Sequence, residues 1–198
     1  MNAAIIVETR LISTIEQTIK DHMKLLPGWE LIIYHGNINK HLFAGFDCEQ
    51  HTVHVTTLRH YNSLITDPLF WNQLVRFERV LVFQNDSMIL RDGIDEFLEY
   101  NYVGAPWKFQ HKGGNGGFSL RNPKAMLKLC KEKPYSERFG YEDVYFSNHI
   151  ENVAPRNVCE KFSVETIFKL GTFAYHAIDN WLTKSECEQI RHQYESDN

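Results

Sequence analysis

Three observations predict an α/β chain built on a central sheet. The first is a set of short, unbroken apolar runs, clearest in Val80-Leu81-Val82-Phe83 within residues 79–83. Runs of this kind suit strands buried on both faces. The second is order near the amino end, where apolar runs at 3–7 and 30–34 flank a stretch with helical spacing. A strand-helix-strand unit implies a parallel pair joined by a right-handed crossover. The third is composition. The chain has 198 residues, 43% apolar and 23% charged, which fits one globular domain of ordinary size, 1–198, with a peripheral tail at 185–198.

Composition also narrows the function. The formal net charge is -4, with no long run of one sign, which argues against a dedicated nucleic-acid binder. No stretch of about 18 apolar residues occurs, so no transmembrane helix is expected. The opening residues lack the basic flank and long apolar run of a signal peptide. Cys48, Cys130, Cys159 and Cys187 lie far apart with no Cys-x-x-Cys, so reduced thiols in a cytoplasmic protein are expected.

Taken in order, residues 3–7 form the first strand and Glu8-Thr9-Arg10 closes it. Leu11, Ile12, Ile15, Ile19, Met23 and Leu26 predict an amphipathic helix, stopped by Pro27-Gly28. No Gly-x-Gly-x-x-Gly follows the first strand, so a dinucleotide fingerprint is absent. Thr9 and Arg10 suit either the ligand edge of the sheet or a solvated turn. Residues 51–58 alternate apolar and polar and predict a third strand. Asp67 is placed to cap a helix with Pro68 in its first turn, carried by Leu69, Phe70, Gln73, Leu74 and Phe77. Trp71 packs on that side or braces the loop before it.

The strand at 79–83 runs into Gln84-Asn85-Asp86-Ser87. Ligands of open α/β sheets bind beyond the carboxyl ends of strands, which would put Asp86 within reach of a metal or phosphate. Asn, Asp and Ser equally suit a plain turn. Ile94, Phe97 and Leu98 predict a short helix, and 102–107 a strand ending in a loop. Residues 108–115 form a polar loop, mobile or ordered by ligand, and the glycines at 113–117 suit close backbone approach or a flexible hairpin before a strand at 118–120. Asn122-Pro123 starts a helix through Ala125, Met126, Leu129 and Cys130. Another opens within 139–146 and carries Glu142 and Asp143 in its first turn, where the helix dipole favours acids whatever their role. Strands are expected at 161–166 and 171–177, the latter holding His176, which suits a structural role as well as a site.

Four stretches together resemble a GT-A type glycosyltransferase: Phe83-Gln84-Asn85-Asp86-Ser87, Tyr102-Val103-Gly104-Ala105-Pro106-Trp107, Gly114-Asn115-Gly116-Gly117-Phe118-Ser119-Leu120-Arg121 and Tyr141-Glu142-Asp143-Val144-Tyr145. The last is similar to the Glu-Asp-Val-Tyr stretch of beta-1,3-galactosyltransferase-like enzymes. The whole set resembles a small glycosyltransferase-like family of bacteria and large DNA viruses, over about residues 3–180. The resemblance implies a single Rossmann-like GT-A domain, a mixed central sheet with helices on both faces. It also implies transfer of a hexose from a nucleotide-diphosphate sugar, UDP-sugar foremost, to a hydroxyl of a glycan or other acceptor.

A divalent cation, Mn or Mg, would neutralise the leaving diphosphate. The family's Asp-x-Asp reads Gln84-Asn85-Asp86 here, keeping only the last carboxylate. Asp86 and His176 are the implied metal ligands, with diphosphate oxygens and water completing the shell. The implied donor contacts are Thr9, Arg10, Tyr61, Asn62, Gln84, Asn85, Trp107, Asn115, Gly116 and Gly117, with Trp107 stacking on the sugar and the glycines admitting it to the backbone. Asp143 is the implied general base of an inverting transfer, with Glu142 orienting it or touching the acceptor, or the two exchanged. Two other readings stand beside this one. A catalytically inactive nucleotide-sugar or glycan binding module of the same fold would account for the reduced triplet. A nucleotidyltransferase would carry a glycine-rich phosphate loop that Val7-Glu8-Thr9-Arg10-Leu11 lacks.

Overall fold

The apolar runs pair into two sheets. The computed structural model describes residues 1–108 and 114–196. Its strands are β1 (Ala3–Glu8), β2 (Glu30–His35), β3 (Glu49–Thr52), β4 (Val80–Phe83), β5 (Ser87–Ile89), β6 (Tyr102–Gly104), β7 (Ser119–Arg121), β8 (Ser163–Val164) and β9 (Ala174–His176). A six-stranded sheet has the order β3-β2-β1-β4-β7-β6, and a three-stranded one the order β5-β9-β8. In the large sheet β3, β2, β1 and β4 run parallel, while β7 is antiparallel to both β4 and β6. The helices are α1 (Ile15–Lys24), α2 (Leu58–Ile65), α3 (Pro68–Leu74), α4 (Pro123–Glu132), α5 (Glu142–His149), α6 (Arg156–Phe162) and α7 (Lys184–Ser196).

Alternation along the central strands feeds two cores. Ala4, Ile6, Leu81 and Phe83 point to one face, where α1 and α6 contribute Ile15, Ile19, Cys159 and Phe162. Ala3, Ile5, Val80 and Val82 point to the other, against Trp71 of α3, Met126 of α4 and Tyr145 and Phe146 of α5. The expected mixed sheet with helices on both faces is therefore present. The caps also form as read. Asp67 accepts from the N–H of Leu69, Asn122 accepts from those of Lys124 and Ala125, and Trp71 donates its indole N–H to the Ile65 carbonyl, bracing the loop before it.

Several boundaries differ from the sequence reading. The first helix begins at Ile15, and Leu11 is 61% exposed outside it. Burial does alternate through Val55, but pairing with β2 ends once the Val53 N–H donates to the His35 carbonyl. The expected strand at 51–58 is thus β3 at Glu49–Thr52, and its far end becomes α2, capped where Thr57 accepts from the His60 N–H. The strand expected at 161–166 shrinks to Ser163–Val164, because Phe162 instead closes α6 against the core. That at 171–177 shrinks to Ala174–His176. The tail forms α7, which buries Cys187 and Ile190 against Leu90, Val164 and Ile178. The loop expected at 108–115 falls on 109–113, outside the described residues. No helix among the described residues is long and apolar enough to cross a membrane, and the four cysteines are free thiols.

The topology brings distant segments to one edge. β1 ends at Thr9-Arg10 beside β4, which ends at Gln84-Asn85-Asp86. With Ser119 opposite Val82, the antiparallel β7 delivers Gly116-Gly117 to that same edge. His176, opposite Ser87 in the small sheet, arrives beside Asp86.

Phe118 stands just inside this edge, fully buried, its ring centre 5.3 Å from that of Phe162 and 6.2 Å from that of Phe173. F118A is expected to lose about 3–5 kcal/mol of stability by urea denaturation. A loss below about 1 kcal/mol would mean this aromatic cluster does not hold the edge.

Candidate active site

The first part of the site is a cavity at the ends of β1 and β4. Glu8 is buried, and Arg10 folds back on it with Nε–Oε1 at 2.9 Å, Nη2–Oε2 at 2.6 Å and a backbone N–H bond to Oε1 at 2.8 Å. The same Nη2 donates to Asn85 Oδ1 at 2.8 Å, tying the two strand ends together. Thr9 donates its hydroxyl to the Val55 carbonyl. A cavity of about 620 Å³ opens here, with Thr9, Arg10, Val55, Leu58, Tyr61 and Gln84 in its wall. That volume lies in the range of small-molecule sites. Four of the expected donor residues, Thr9, Arg10, Tyr61 and Gln84, therefore share one cavity, and Asn85 holds Arg10 at its rim.

Next to it stands a charge cluster. His176 is buried, with Nε2 3.1 Å from Gln84 Oε1 and 3.3 Å from Asp86 Oδ1, and Nδ1 3.5 Å from Glu165 Oε1. Burial opposes a charged imidazole, but hydrogen bonds and charge from Asp86 and Glu165 outweigh it and raise the His176 pKa to about 9. Burial likewise works against ionised Asp86, and His176 reverses the balance, so the Asp86 pKa falls below its ordinary value. One imidazolium between two carboxylates leaves the cluster with a net negative charge. Glu165 is a member the sequence reading missed. It lay inside an expected strand, and nothing local marks it. Its Oε1 accepts from Asn115 Nδ2 at 2.7 Å, while its buried Oε2 has no hydrogen-bond partner among the described residues.

This cluster fits a cation in part. Neighbouring ligands of an octahedral ion with bonds of about 2.1 Å stand about 3.0 Å apart, close to the 3.3 Å between His176 and Asp86. Among the described residues no three His, Cys, Asp or Glu side chains are grouped as a metal site. Asp86 and His176 could thus supply two positions, and the others would fall to substrate oxygens and water.

The third part is the first turn of α5. Arg121, fully buried in β7, forms a bidentate pair with Glu142, Nη1–Oε2 at 2.8 Å and Nη2–Oε1 at 3.0 Å. The guanidinium is caged by Phe146, Tyr102 and Trp71, whose ring centres lie 5.2, 5.3 and 5.9 Å away. It also donates to Ser119 Oγ and the Gly116 carbonyl. Each Glu142 oxygen thus accepts one hydrogen bond from Arg121. Arg121 is the second residue the sequence reading missed. A cation in an otherwise buried strand is its one local signal, since buried Arg requires a buried anion.

Asp143 follows Glu142. Its Oδ1 accepts from the Val144 N–H at 2.8 Å and its Oδ2 from the Gly116 N–H at 3.3 Å. Burial and then the Glu142 charge push its pKa up to about 7. A carboxyl titrating there is poised for proton transfer near neutral pH.

The glycine segment joins the two acidic clusters. A Cβ on Gly116 would lie 2.1 Å from Glu142 Oε1, and one on Gly117 would lie 2.3 Å from His176 Nε2. These glycines thus admit the protein's own side chains, whatever else approaches them. Asn115 is engaged by Glu165 and by the Gly117 N–H, which donates to its Oδ1 at 2.7 Å. Asn62 is buried with Oδ1 accepting from the Glu142 N–H at 3.4 Å. Trp107 is 6% exposed, which leaves its ring packed rather than offered as a stacking face. None of these three residues is in the wall of the cavity at the ends of β1 and β4.

R121M is expected to destabilise by about 3–5 kcal/mol in chemical denaturation, because it strands a buried carboxylate. A loss within about 0.5 kcal/mol would show the pair to be dispensable. Asp143 titrates at about 3.9 in an unfolded chain and about 7 in the folded one. The native state therefore binds the extra proton between those values, and stability from this group is lost as pH rises through that window, by up to about 1.4 kcal/mol per pH unit. D143N is expected to flatten that slope in urea melts taken from pH 4 to pH 8. An unchanged slope would place the raised pKa elsewhere.

Solved structures share this fold at low sequence identity. The glycosyltransferase GlyE of Streptococcus pneumoniae TIGR4, in its apo form, matches with a TM-score of 0.60 at 12% identity over 98% of this chain and 60% of its own. The galactosyltransferase LgtC, solved in complex with donor and acceptor sugar analogs, matches with a TM-score of 0.56 at 12% identity over 99% of this chain and 96% of its own. The chain thus spans less than two thirds of GlyE. No curated protein matches it. At these identities the likeness is one of fold, a GT-A-like glycosyltransferase fold. Residues 46–177 match a family described as "Protein of unknown function (DUF5672)", and the chain belongs to that family.

Proposed function

We propose that the chain is a glycosyltransferase that moves a hexose from a nucleotide-diphosphate sugar, UDP-sugar foremost, to an acceptor hydroxyl. The observation that carries this reading is the placement of Asp143, a carboxyl with pKa about 7, against Gly116, while the next residue, Gly117, is seated against His176, itself 3.3 Å from Asp86. The shared glycosyltransferase fold supports it. The nucleotide occupies the cavity beside Thr9, Arg10 and Tyr61, and Gln84 leads from it toward Asp86 and His176. Those two residues would hold Mn or Mg, which would supply Lewis-acid neutralisation of the diphosphate. A cation there would require neutral His176, whose pKa its carboxylate neighbours raise to about 9, so binding would compete with protons.

Asp143 takes the proton of the acceptor hydroxyl. The hydroxyl oxygen forms the new bond to the anomeric carbon, and the bond to the diphosphate oxygen breaks with its electron pair leaving on the nucleotide. Attack opposite the leaving group inverts the anomeric centre. The buried Arg121–Glu142 pair fixes the turn that carries Asp143, so the base is pre-positioned. The Gln84-Asn85-Asp86 triplet and the two-residue ligand set favour one second reading, a module that binds nucleotide sugar without turning it over.

Calorimetry with UDP-sugars and Mn separates the parts. D86A is expected to abolish the Mn-dependent component of donor binding, and unchanged affinity would move the metal site elsewhere. D143N is expected to lower turnover by about 10²–10⁴-fold while donor affinity is kept. Full turnover in D143N would remove Asp143 from the base role. Intact donor binding with no transfer or hydrolysis by the parent chain would favour the binding module.

A further inference from the structure

A second depression opens on the face of α2 next to the donor cavity, with Leu58 in the wall of both. It measures about 470 Å³, with Arg59, Asn62, Ser63, Tyr135 and Tyr141 in its wall. It adjoins a third of about 530 Å³, sharing Ser63 and Tyr135 with it and reaching Asp67 and Lys131. We propose that this double depression is the acceptor groove and that its occupant is a neutral oligosaccharide, with its reacting sugar beside Asp143 and the rest of its chain lying across Tyr135 toward Lys131. The assignment of the acceptor role rests on the transfer reading above.

Position comes first. Leu58 lines both the donor cavity and the first depression, so the two open on adjoining faces of one helix. Tyr61 faces the donor side. Asn62, the next residue, faces the other and accepts from the Glu142 N–H. Tyr141 immediately precedes Glu142 and lies two residues from Asp143. A ligand held against Tyr141 would thus lie at the start of the turn that carries the proposed base, and the shared Leu58 makes the two cavities neighbours.

The lining chemistry is that of a sugar site. Tyr141 is 59% exposed, and an aromatic ring in a cleft offers a flat apolar surface to the C–H face of a pyranose. The Tyr135 ring is fixed at the seam by its hydroxyl, which donates to the Gly140 carbonyl at 2.6 Å. Ser136, also in the wall, has its own hydroxyl turned inward and closed to solvent, so hydrogen bonding to a ligand falls to Ser63 and the other polar wall residues.

Charge selects the class of saccharide. Arg59 pairs with Glu137 at 2.6 Å, and Asp67 is committed to the first turn of α3 while Lys131 faces it across the far depression. The two cations and two anions along the groove cancel. A sialylated or phosphorylated chain would find no net positive field, whereas a neutral one loses nothing. Length follows from volume, since each depression alone lies in the range that holds a drug-sized ligand, leaving room for more than one ring.

The test uses the full chain without donor on an array of neutral and acidic glycans, followed by ligand-observed NMR on the bound glycans and their disaccharide fragments. Binding is expected for neutral oligosaccharides, at least tenfold tighter for tetrasaccharides than for their disaccharide fragments. Y141A is expected to weaken both by tenfold or more. S63W, which fills the seam, is expected to abolish the advantage of length while leaving disaccharide binding. Both positions are exposed, and an unchanged melting temperature checks that the variants fold. Binding of no neutral glycan, a preference for acidic ones, or binding untouched by Y141A and S63W would overturn the proposal. Because the array needs no donor, the two readings fail separately. Glycan binding through this groove without any donor turnover would sink the transferase reading alone. Donor hydrolysis with no glycan bound would sink the groove alone.

Discussion

The buried pairing of Arg121 with Glu142 is the constraint on which the site depends. Neither charge could leave water alone, since an unpaired buried ion is expensive. Together they anchor the first turn of α5 to β7, next to the edge strand β6 of the large sheet. The aromatic cage of Trp71, Tyr102 and Phe146 keeps water from the pair and presents ring faces to the guanidinium. The remaining Arg121 donor holds the Gly116 carbonyl, so one side chain sets both the helix turn and the glycine segment. Asp143 inherits its environment from this arrangement. It is partly buried on the pinned turn, and its pKa rises to about 7 because desolvation and the neighbouring Glu142 charge both oppose ionisation.

The two acidic clusters on either side of the glycines are electrically different. On one side Arg121 neutralises Glu142, and Asp143 can remain protonated, so that cluster carries little charge at neutral pH. On the other, His176 is shared between Asp86 and Glu165, and one negative charge is left over. The first cluster thus holds a carboxyl that exchanges its proton near neutral pH, and the second carries surplus negative charge that favours a cation over an anion.

Much of this was readable from local pattern. The unbroken run at β4 was legible because a strand covered on both faces has no polar side to show. The starts of α3 and α4 were legible because Asp67-Pro68 and Asn122-Pro123 satisfy orphan N–H groups through the chain's own neighbours. Asp86 and His176 could be paired only through the family resemblance, and the antiparallel β5–β9 pair is what brings them together. What stayed hidden was non-local or weakly patterned. α6 is seven residues long and fully buries only two, too short for a helical period to stand out. α2 lay under an alternation that continued past the last paired residue. Arg121 and Glu142 are 21 residues apart, and Glu165 reaches Asn115 across 50. Residue type alone also did not say that Asn62, Trp107 and Asn115 turn inward.

The close fit of Gly116 and Gly117 has a geometric corollary. Successive Cα atoms are fixed at about 3.8 Å across a trans peptide. One of these glycines is seated against Glu142 and Asp143, the other against His176. A single peptide unit therefore acts as a rigid ruler between the two halves of the active edge. Neither half can drift without dragging the other, and the gap between them is written into covalent bond lengths rather than into the softer forces of side-chain packing.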